Sequence, residues 1–387
     1  MQHANAMKNM RDSSLVRQVS LLLLIPLLSM FASGCASPGQ TDFTSSSLHE
    51  TLSVLAKKHN ICGVAVAVIK NRQLDSIDLA TGCHRAAALS GDSVFQAASL
   101  SKPVFAYAVL KLVAKGKLAL DVPVVNYLPQ GYRHQPEPWK ADASYLVTDA
   151  RLQAITVRMV LNHTSGLPGW SSAPLKVETT PGTKWNYSGE GYVLLQRAVE
   201  AVTHQPLDQF MTAQVFKPLA MNQSSYVWND RIAPHLQPGR KANGSLRATL
   251  ELKNPNAAFS LFTTAADYGK FLVAVLGDEE LIKQVTASPV AVDASLGLSW
   301  GLGWGMEQRH DGPHIWQWGN NIGYRAFAIA SVKTGDGFVM LTNSENGLEL
   351  AEPLAKKILP GEHKLFQSPV LGFDVINWVC NTVRICL

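Results

Sequence analysis

Ser99 and Lys102 stand three positions apart in the run Phe95-Gln-Ala-Ala-Ser99-Leu-Ser-Lys102-Pro103, just where a helix begins. Positions i and i+3 share a helical face, so the amine of Lys102 can touch the Ser99 oxygen. The helix is legible. Val104, Phe105, Ala108, Val109 and Leu112 form an apolar stripe, and Gly116 ends it. Pro103 is tolerated because N–H groups of the first turn have no partner within the helix. Those same groups can stabilise an anion developing near Ser99. A bare Ser-x-x-Lys match is weak, since a capping serine with an exposed lysine nearby spells the same letters.

A chain of 387 residues can hold two domains or one large divided one. Its apolar content of 47% and charged content of 16% describe a globular protein. Of the formal charge of +5, Lys8, Arg11 and Arg17 against Asp12 supply +2 before residue 35, leaving +3 for the rest. No basic run is interleaved with aromatics, so nucleic-acid binding has no support.

Residues 1–35 read as an export signal. Lys8, Arg11 and Arg17 precede the apolar stretch Leu21 to Phe31, and Ala32-Ser33-Gly34 lead to Cys35. The apolar part is short for a membrane span, and Pro26 interrupts it. Small residues before a cysteine resemble a bacterial lipoprotein signal, which implies lipidation of Cys35 as the mature N-terminus; plain secretion is the alternative. The usual leucine of that signal is Ala32 here. Residues 36–47, rich in Ser and Thr, form a linker. The expected location is periplasmic or cell-surface, anchored to a membrane rather than across it.

In an oxidising compartment, four cysteines remain and allow three pairings. Cys62 and Cys83 flank a hairpin in which Gly63 to Ile69 leads to a turn at Asn71-Arg72-Gln73 and Leu74 to Thr81 returns. A symmetric register sets the two cysteines opposite each other. A disulfide and a pair of small buried apolar residues both fit. Cys380 and Cys386 lie in the tail 361–387, where Phe373, Ile376, Val379 and Val383 oppose polar residues at helical spacing. This is an amphipathic docking helix, with membrane-surface contact the alternative.

Two further segments carry chemistry. In Pro181-Gly-Thr-Lys-Trp-Asn-Tyr187-Ser188-Gly189, Tyr187 sits on a loop before a helix expected from about Gly191 to Val202. A phenol beside a lysine ammonium has its anionic form favoured and can exchange protons with Ser99. In His314-Ile-Trp-Gln317-Trp318-Gly319-Asn320-Asn321, alternating aromatics ending in Gly read as a strand whose backbone something approaches closely. Strands over Tyr324 to Val332 and Gly337 to Thr342 and a helix over Leu348 to Ile358 follow.

With these three elements in this order, the chain resembles the serine hydrolases that share the class C β-lactamase fold: class C β-lactamases, certain DD-peptidases, related esterases and D-amino-acid amidases. Further segments agree, among them Gly63-Val-Ala-Val-Ala-Val, Ile155-Thr-Val-Arg-Met-Val-Leu-Asn-His163-Thr-Ser-Gly-Leu-Pro168 and Phe216-Lys-Pro-Leu-Ala-Met221. The resemblance implies Ser99 as the nucleophile that forms an acyl-enzyme, Lys102 as its base or the modulator of the base, and Tyr187 as a proton relay. It implies an oxyanion hole from the backbone N–H groups of Ser99 and Asn320, and no cofactor. Gln317, Trp318, Gly319 and Gly189 would line the substrate.

Two departures stand out. Gly189 takes the place of the asparagine that grips a substrate amide. Gln317 takes the place of the lysine or histidine of the third motif, and a neutral amide supplies no cation for a carboxylate. Both favour ester or small-amide hydrolysis over efficient β-lactamase action.

Three decoys are set aside. Lys333-Thr-Gly335 spells the missing third motif but reads as a hairpin turn. Gly297-Leu-Ser299-Trp-Gly301 matches a nucleophile elbow, yet its glycines forbid the helix such an elbow needs. His163 reads as structural, and no metal-ligand spacing is convincing.

The expected architecture is α/β, β-lactamase/transpeptidase-like, in a catalytic domain over 48–360. An antiparallel sheet flanked by helices comes from about 48–116 and 255–360, and a mainly helical lobe, about 117–254, is inserted. The substrate class is a small-molecule ester, amide or peptide, including β-lactams and D-amino-acid peptides, with the oligomeric state left open. The alternative is a catalytically degraded relative that binds cell-wall peptides or a protein partner.

Overall fold

The computed structural model describes residues 47–84, 86–136, 144–171 and 174–371. The export segment with Cys35, the linker to residue 46 and the tail from residue 372, with Cys380 and Cys386, lie outside these residues. No helix among the described residues is long and apolar enough to cross a membrane.

Helix α1 (Leu48–Lys58) opens the domain with a capping box, in which Ser47 and Glu50 satisfy each other's backbone N–H. Strands β1 (Val64–Lys70) and β2 (Gln73–Ala80) form a hairpin. The turn holds two residues rather than the three expected. Asn71 and Arg72 adopt φ of +49° and +61°, and Gln73 already pairs with Lys70. Arg72 tolerates that conformation because tertiary hydrogen bonds pin it: its N–H donates to Gly335 O, and its guanidinium to the carbonyls of Leu276 and Val332. The shorter turn and a bulge at Val68/Ile69 pair Val64 with Ala80, one residue off the symmetric register. Cys62 and Cys83 lie just beyond the ladder and are joined as a disulfide with Cα atoms 4.6 Å apart.

Strand β3 (Phe95–Ala98) runs into α2 (Ser101–Ala114), after which Gly116, at φ +67°, turns the chain away. Residues 117–254 then hold the short strands β4 (Arg133–His134) and β5 (Tyr145–Leu146), and the helices α3 (Val157–Leu161), α4 (Gly189–Thr203) and α5 (Leu207–Met211). Strand β6 (Leu261–Thr263) pairs with β3, and α6 (Ala265–Gly277) and α7 (Glu279–Thr286) follow. The chain returns to the sheet through β7 (Val290–Asp293), β8 (Leu298–Trp300), β9 (Gly305–Arg309), β10 (Gly312–Asn321), β11 (Tyr324–Ser331) and β12 (Gly337–Thr342), then α8 (Ala351–Ile358).

The main sheet is antiparallel throughout, in the order β2-β1-β12-β11-β10-β9-β8-β7. Its central strands are apolar on both faces because both faces are covered. On β11, Ala326, Ala328 and Ala330 face the larger core with α2, α4 and α6, while Phe327 and Ile329 face the second core with α1 and α8. The alanine side is the one on which β3 lies close, bringing the start of α2 to the sheet. Lys333-Thr-Gly335 falls between β11 and β12 as a turn, and Ser299 lies within β8, so neither decoy is placed for catalysis.

Candidate active site

Ser99 sits between β3 and α2, partly accessible, at a sharp corner. Ala98 before it adopts φ +50°, a left-handed conformation that costs a residue with a Cβ on the order of 1 kcal/mol or more. The surroundings hold it there. Ser101 Oγ donates to Ala98 O at 2.6 Å and accepts the Leu261 N–H. The buried hydroxyls of Tyr226 and Tyr268 donate to Ser101 O and Leu100 O. From the sheet side, Gly319 presses against the same corner: a Cβ on it would fall 2.4 Å from Ala97 O. The close backbone approach expected of that glycine is therefore β3.

Lys102 is only 2% exposed. Its Nζ lies 3.1 Å from Ser99 Oγ, donates to Ala258 O at 2.9 Å, and stands 4.6 Å from the centre of the Tyr187 ring. Burial lowers its pKa from 10.5 to about 7. The amine is thus half neutral near pH 7 and able to accept a proton.

Tyr187 lies two residues before α4, whose first turn is capped by Ser188 Oγ accepting from Gly191 N–H. Its hydroxyl is hydrogen-bonded to Ser99, and Gln317 Nε2 donates to it at 2.8 Å. Its ring lies between His163 and Trp318, with centroids 4.4 and 4.9 Å away, and Trp300 meets it edge-on. Burial raises the phenol's pKa, and the bonds to Ser99 and Gln317 only partly offset this. Burial thus outweighs any pull of the lysine charge towards the phenolate, and the same burial lowers the pKa of Lys102.

Gln317 is fully buried, and its Nε2 also donates to Ser99 O and Trp318 O. Those two carbonyls fix which end of the amide is nitrogen. Its amide braces the phenol and the nucleophile's backbone instead of facing a substrate. Trp318 is 8% exposed and packs against Tyr187, Trp300 and Trp316, so it supports the phenol from beneath. Asn320 is exposed on β10, one residue beyond Gly319, and Asn321 Nδ2 donates to Gln96 Oε1. Strand β10 therefore tracks the β3–Ser99 segment.

Gly189 opens α4, and a Cβ there would meet the Trp170 ring at 2.5 Å. The space left by the missing asparagine is filled by an indole. His163 takes the Ser188 N–H on Nδ1, which leaves the proton on Nε2, and burial depresses its pKa well below the usual histidine value. It shapes the loop that carries Tyr187. Sequence reasoning missed Ala258, Trp170 and Phe259. A backbone carbonyl such as Ala258 O leaves no side-chain signal; Trp170 was visible only as one of several loop aromatics. Among the described residues, no group of three or more His, Cys, Asp or Glu is placed to hold a metal ion.

This geometry can be set beside known proteins. Penicillin-binding protein 4 of Amycolatopsis lactamdurans is 31% identical over 196 residues, covering 45% of this chain and 47% of that protein. Esterase EstB of Burkholderia gladioli is 34% identical over 168 residues, covering 35% of this chain and 39% of that one. The matches thus span less than half the length of either relative. The crystal structure of D-amino acid amidase from Ochrobactrum anthropi SV3, complexed with L-phenylalanine, superposes with a TM-score of 0.64 at 20% identity, covering 81% of this chain and 97% of that one. At that identity the likeness is one of fold. The family described as Beta-lactamase matches residues 48–361, most of the chain. With its antiparallel sheet flanked by helices, the chain belongs to the family described as Beta-lactamase.

Proposed function

We propose that this protein is an exported hydrolase that cleaves an ester or small amide through an acyl-enzyme on Ser99. The observation that carries the reading is the Lys102 amine, buried to a pKa of about 7 and 3.1 Å from Ser99 Oγ. A general base is most effective with a pKa near the working pH.

In the first half-reaction Ser99 Oγ attacks the substrate carbonyl carbon while Lys102 Nζ takes the hydroxyl proton. The oxyanion is held by the backbone N–H groups of Ser99 and Asn320. Its collapse breaks the bond to the leaving group. That group receives the proton of the Tyr187 hydroxyl, and the proton held by Lys102 Nζ passes to the phenolate oxygen in its place. In the second half-reaction water adds to the acyl carbon, and the proton it gives up returns to Ser99 as the acyl bond breaks. Tyr187 serves as a neutral relay, because burial keeps it protonated.

Ester or small-amide substrates suit the site better than β-lactams. Gln317 carries no charge and its amide is committed to Tyr187, and no amide projects from Gly189. Both departures from the usual motifs thus have structural occupants, which argues against a decayed, purely binding relative. Export rests on the N-terminal sequence, with Cys35 as the lipidated residue.

A fluorophosphonate probe followed by peptide mapping tests the reading: label on Ser99 is expected, and its loss in Ser99→Ala. A folded protein that takes no label, or takes it elsewhere, would overturn it.

A further inference from the structure

Trp170 is 50% exposed, an unusual share for so large an apolar ring, and it is positioned by what Gly189 lacks. The Gly189 N–H donates to Gly169 O at 2.9 Å, so the loop carrying Trp170 is tied to the first turn of α4. The indole meets the Phe259 ring edge-on at 5.4 Å. Phe259 in turn follows Ala258, whose carbonyl holds Lys102, and its own carbonyl accepts from Asn321 Nδ2. Chain neighbours and contacts thus link Ser99, Tyr187, Gly189, Trp170, Phe259, Ala258 and Lys102 in one closed circuit that includes the nucleophile.

The circuit continues on one side. Asn321 is bonded to Gln96, whose Nε2 donates to Leu250 O, and Ile322 follows Asn321 at the β10–β11 turn. Leu250 is 47% and Ile322 69% exposed. Of eight large apolar side chains exposed among the described residues, three, Trp170, Leu250 and Ile322, are thus joined to this site through chain neighbours and hydrogen bonds. Exposed apolar surface linked to a nucleophile's surroundings marks a binding surface rather than chance exposure.

Resting on the acyl-enzyme reading, we propose that Trp170 and Phe259, flanked by Leu250 and Ile322, form an apolar subsite. It selects uncharged esters that carry an aromatic or bulky apolar group on the scissile carbonyl. Gly189 is the device that admits it: any side chain there would displace the indole. A carboxylate on the substrate gains nothing from the neutral Gln317, while an aromatic ring gains a face-and-edge contact of two side chains.

The test is the ratio of kcat/KM for p-nitrophenyl phenylacetate over p-nitrophenyl acetate. The wild-type protein is expected to favour phenylacetate by about tenfold or more, the range a single apolar pocket contact supplies. Trp170→Ala should cut that ratio about tenfold, and Trp170→Phe should retain most of it. Gly189→Ala, whose Cβ would press on both the Trp170 ring and Gly169 O and so move the indole with its loop, should cut the ratio as well and decides the matter if Trp170→Ala does not fold. Val54→Ala, an exposed apolar position on α1, should leave the ratio as it is. A ratio unmoved by both Trp170→Ala and Gly189→Ala would overturn the subsite while Ser99 still takes the fluorophosphonate. Absence of label in the wild type would instead overturn the acyl-enzyme reading on which the subsite depends.

Discussion

Two buried polar clusters border this sheet, and they are built on opposite principles. In the second core, Glu307 on β9 is 1% exposed. Its carboxylate accepts from His363 Nδ1 and from Leu365 N–H, and the other ring nitrogen of His363 lies 2.9 Å from Leu359 O. Arg309, two residues along, donates to Pro360 O and to Asp311. Each charge there has a partner, and the cluster ties the segment after α8 to the sheet. Around Ser99, by contrast, a lysine is buried and its pKa falls through burial alone. Gln317 Oε1, His163 Nε2 and Tyr192 Oη are buried without hydrogen-bond partners, and Ala98 is left-handed. Fully partnered polar burial holds a fold together. Under-partnered burial holds a reactive group in a state it would not choose in water.

Lys102→Met should separate the two clusters most clearly. Loss of the base is expected to cut turnover of an activated ester at least about a thousandfold. Yet the variant should be more stable, because a lysine pKa lowered from 10.5 to about 7 costs on the order of 4 kcal/mol at neutral pH. Between about pH 7 and 10.5 the unfolded chain holds the proton and the folded one does not, so wild-type stability rises with pH across that window. The stability advantage of Lys102→Met should therefore shrink as denaturant melts are taken from pH 7 towards pH 10. A less stable Lys102→Met would contradict the contrast.

Glu307→Ala should do the reverse. It strands His363 and the Leu365 N–H, at a cost of about 3 kcal/mol in a denaturant melt, while turnover per folded molecule holds. Loss of turnover in the folded fraction would mean the two clusters are coupled through the sheet.

Gln317→Leu sharpens the division inside the site. A brace on Tyr187 predicts kcat lower by about tenfold with KM little changed. A raised KM with intact kcat would return Gln317 to the substrate. The smallest effect is in pH dependence: kcat/KM should climb to a plateau through about pH 7, as Lys102 loses its proton. A limb near the ordinary lysine value would show the amine is not held as described.

Much of the architecture was legible because it is local. The apolar stripe from Val104 to Leu112, the stop at Gly116, the turn at Lys333-Thr-Gly335 and the helix after Tyr187 follow from periodicity and turn chemistry within a few residues. The hairpin was read one residue off. Its turn is held by Arg72 reaching Gly335 and Leu276, more than two hundred positions away, and such contacts leave no local trace. The site divides likewise: Ser99 and Lys102 are one helical turn apart and announce each other.

The residues alone, read at helical spacing, set a lysine in the first turn of a helix within reach of a serine just ahead of it. What the pair can do depends on how the rest of the chain packs around it. That packing buried the lysine beneath Tyr187 and the Ala258 carbonyl, kept the phenol neutral, turned Gln317 inward and laid Trp170 over Gly189. Reactivity here depends on desolvation, and desolvation is set by residues distant in the chain that meet only when it folds.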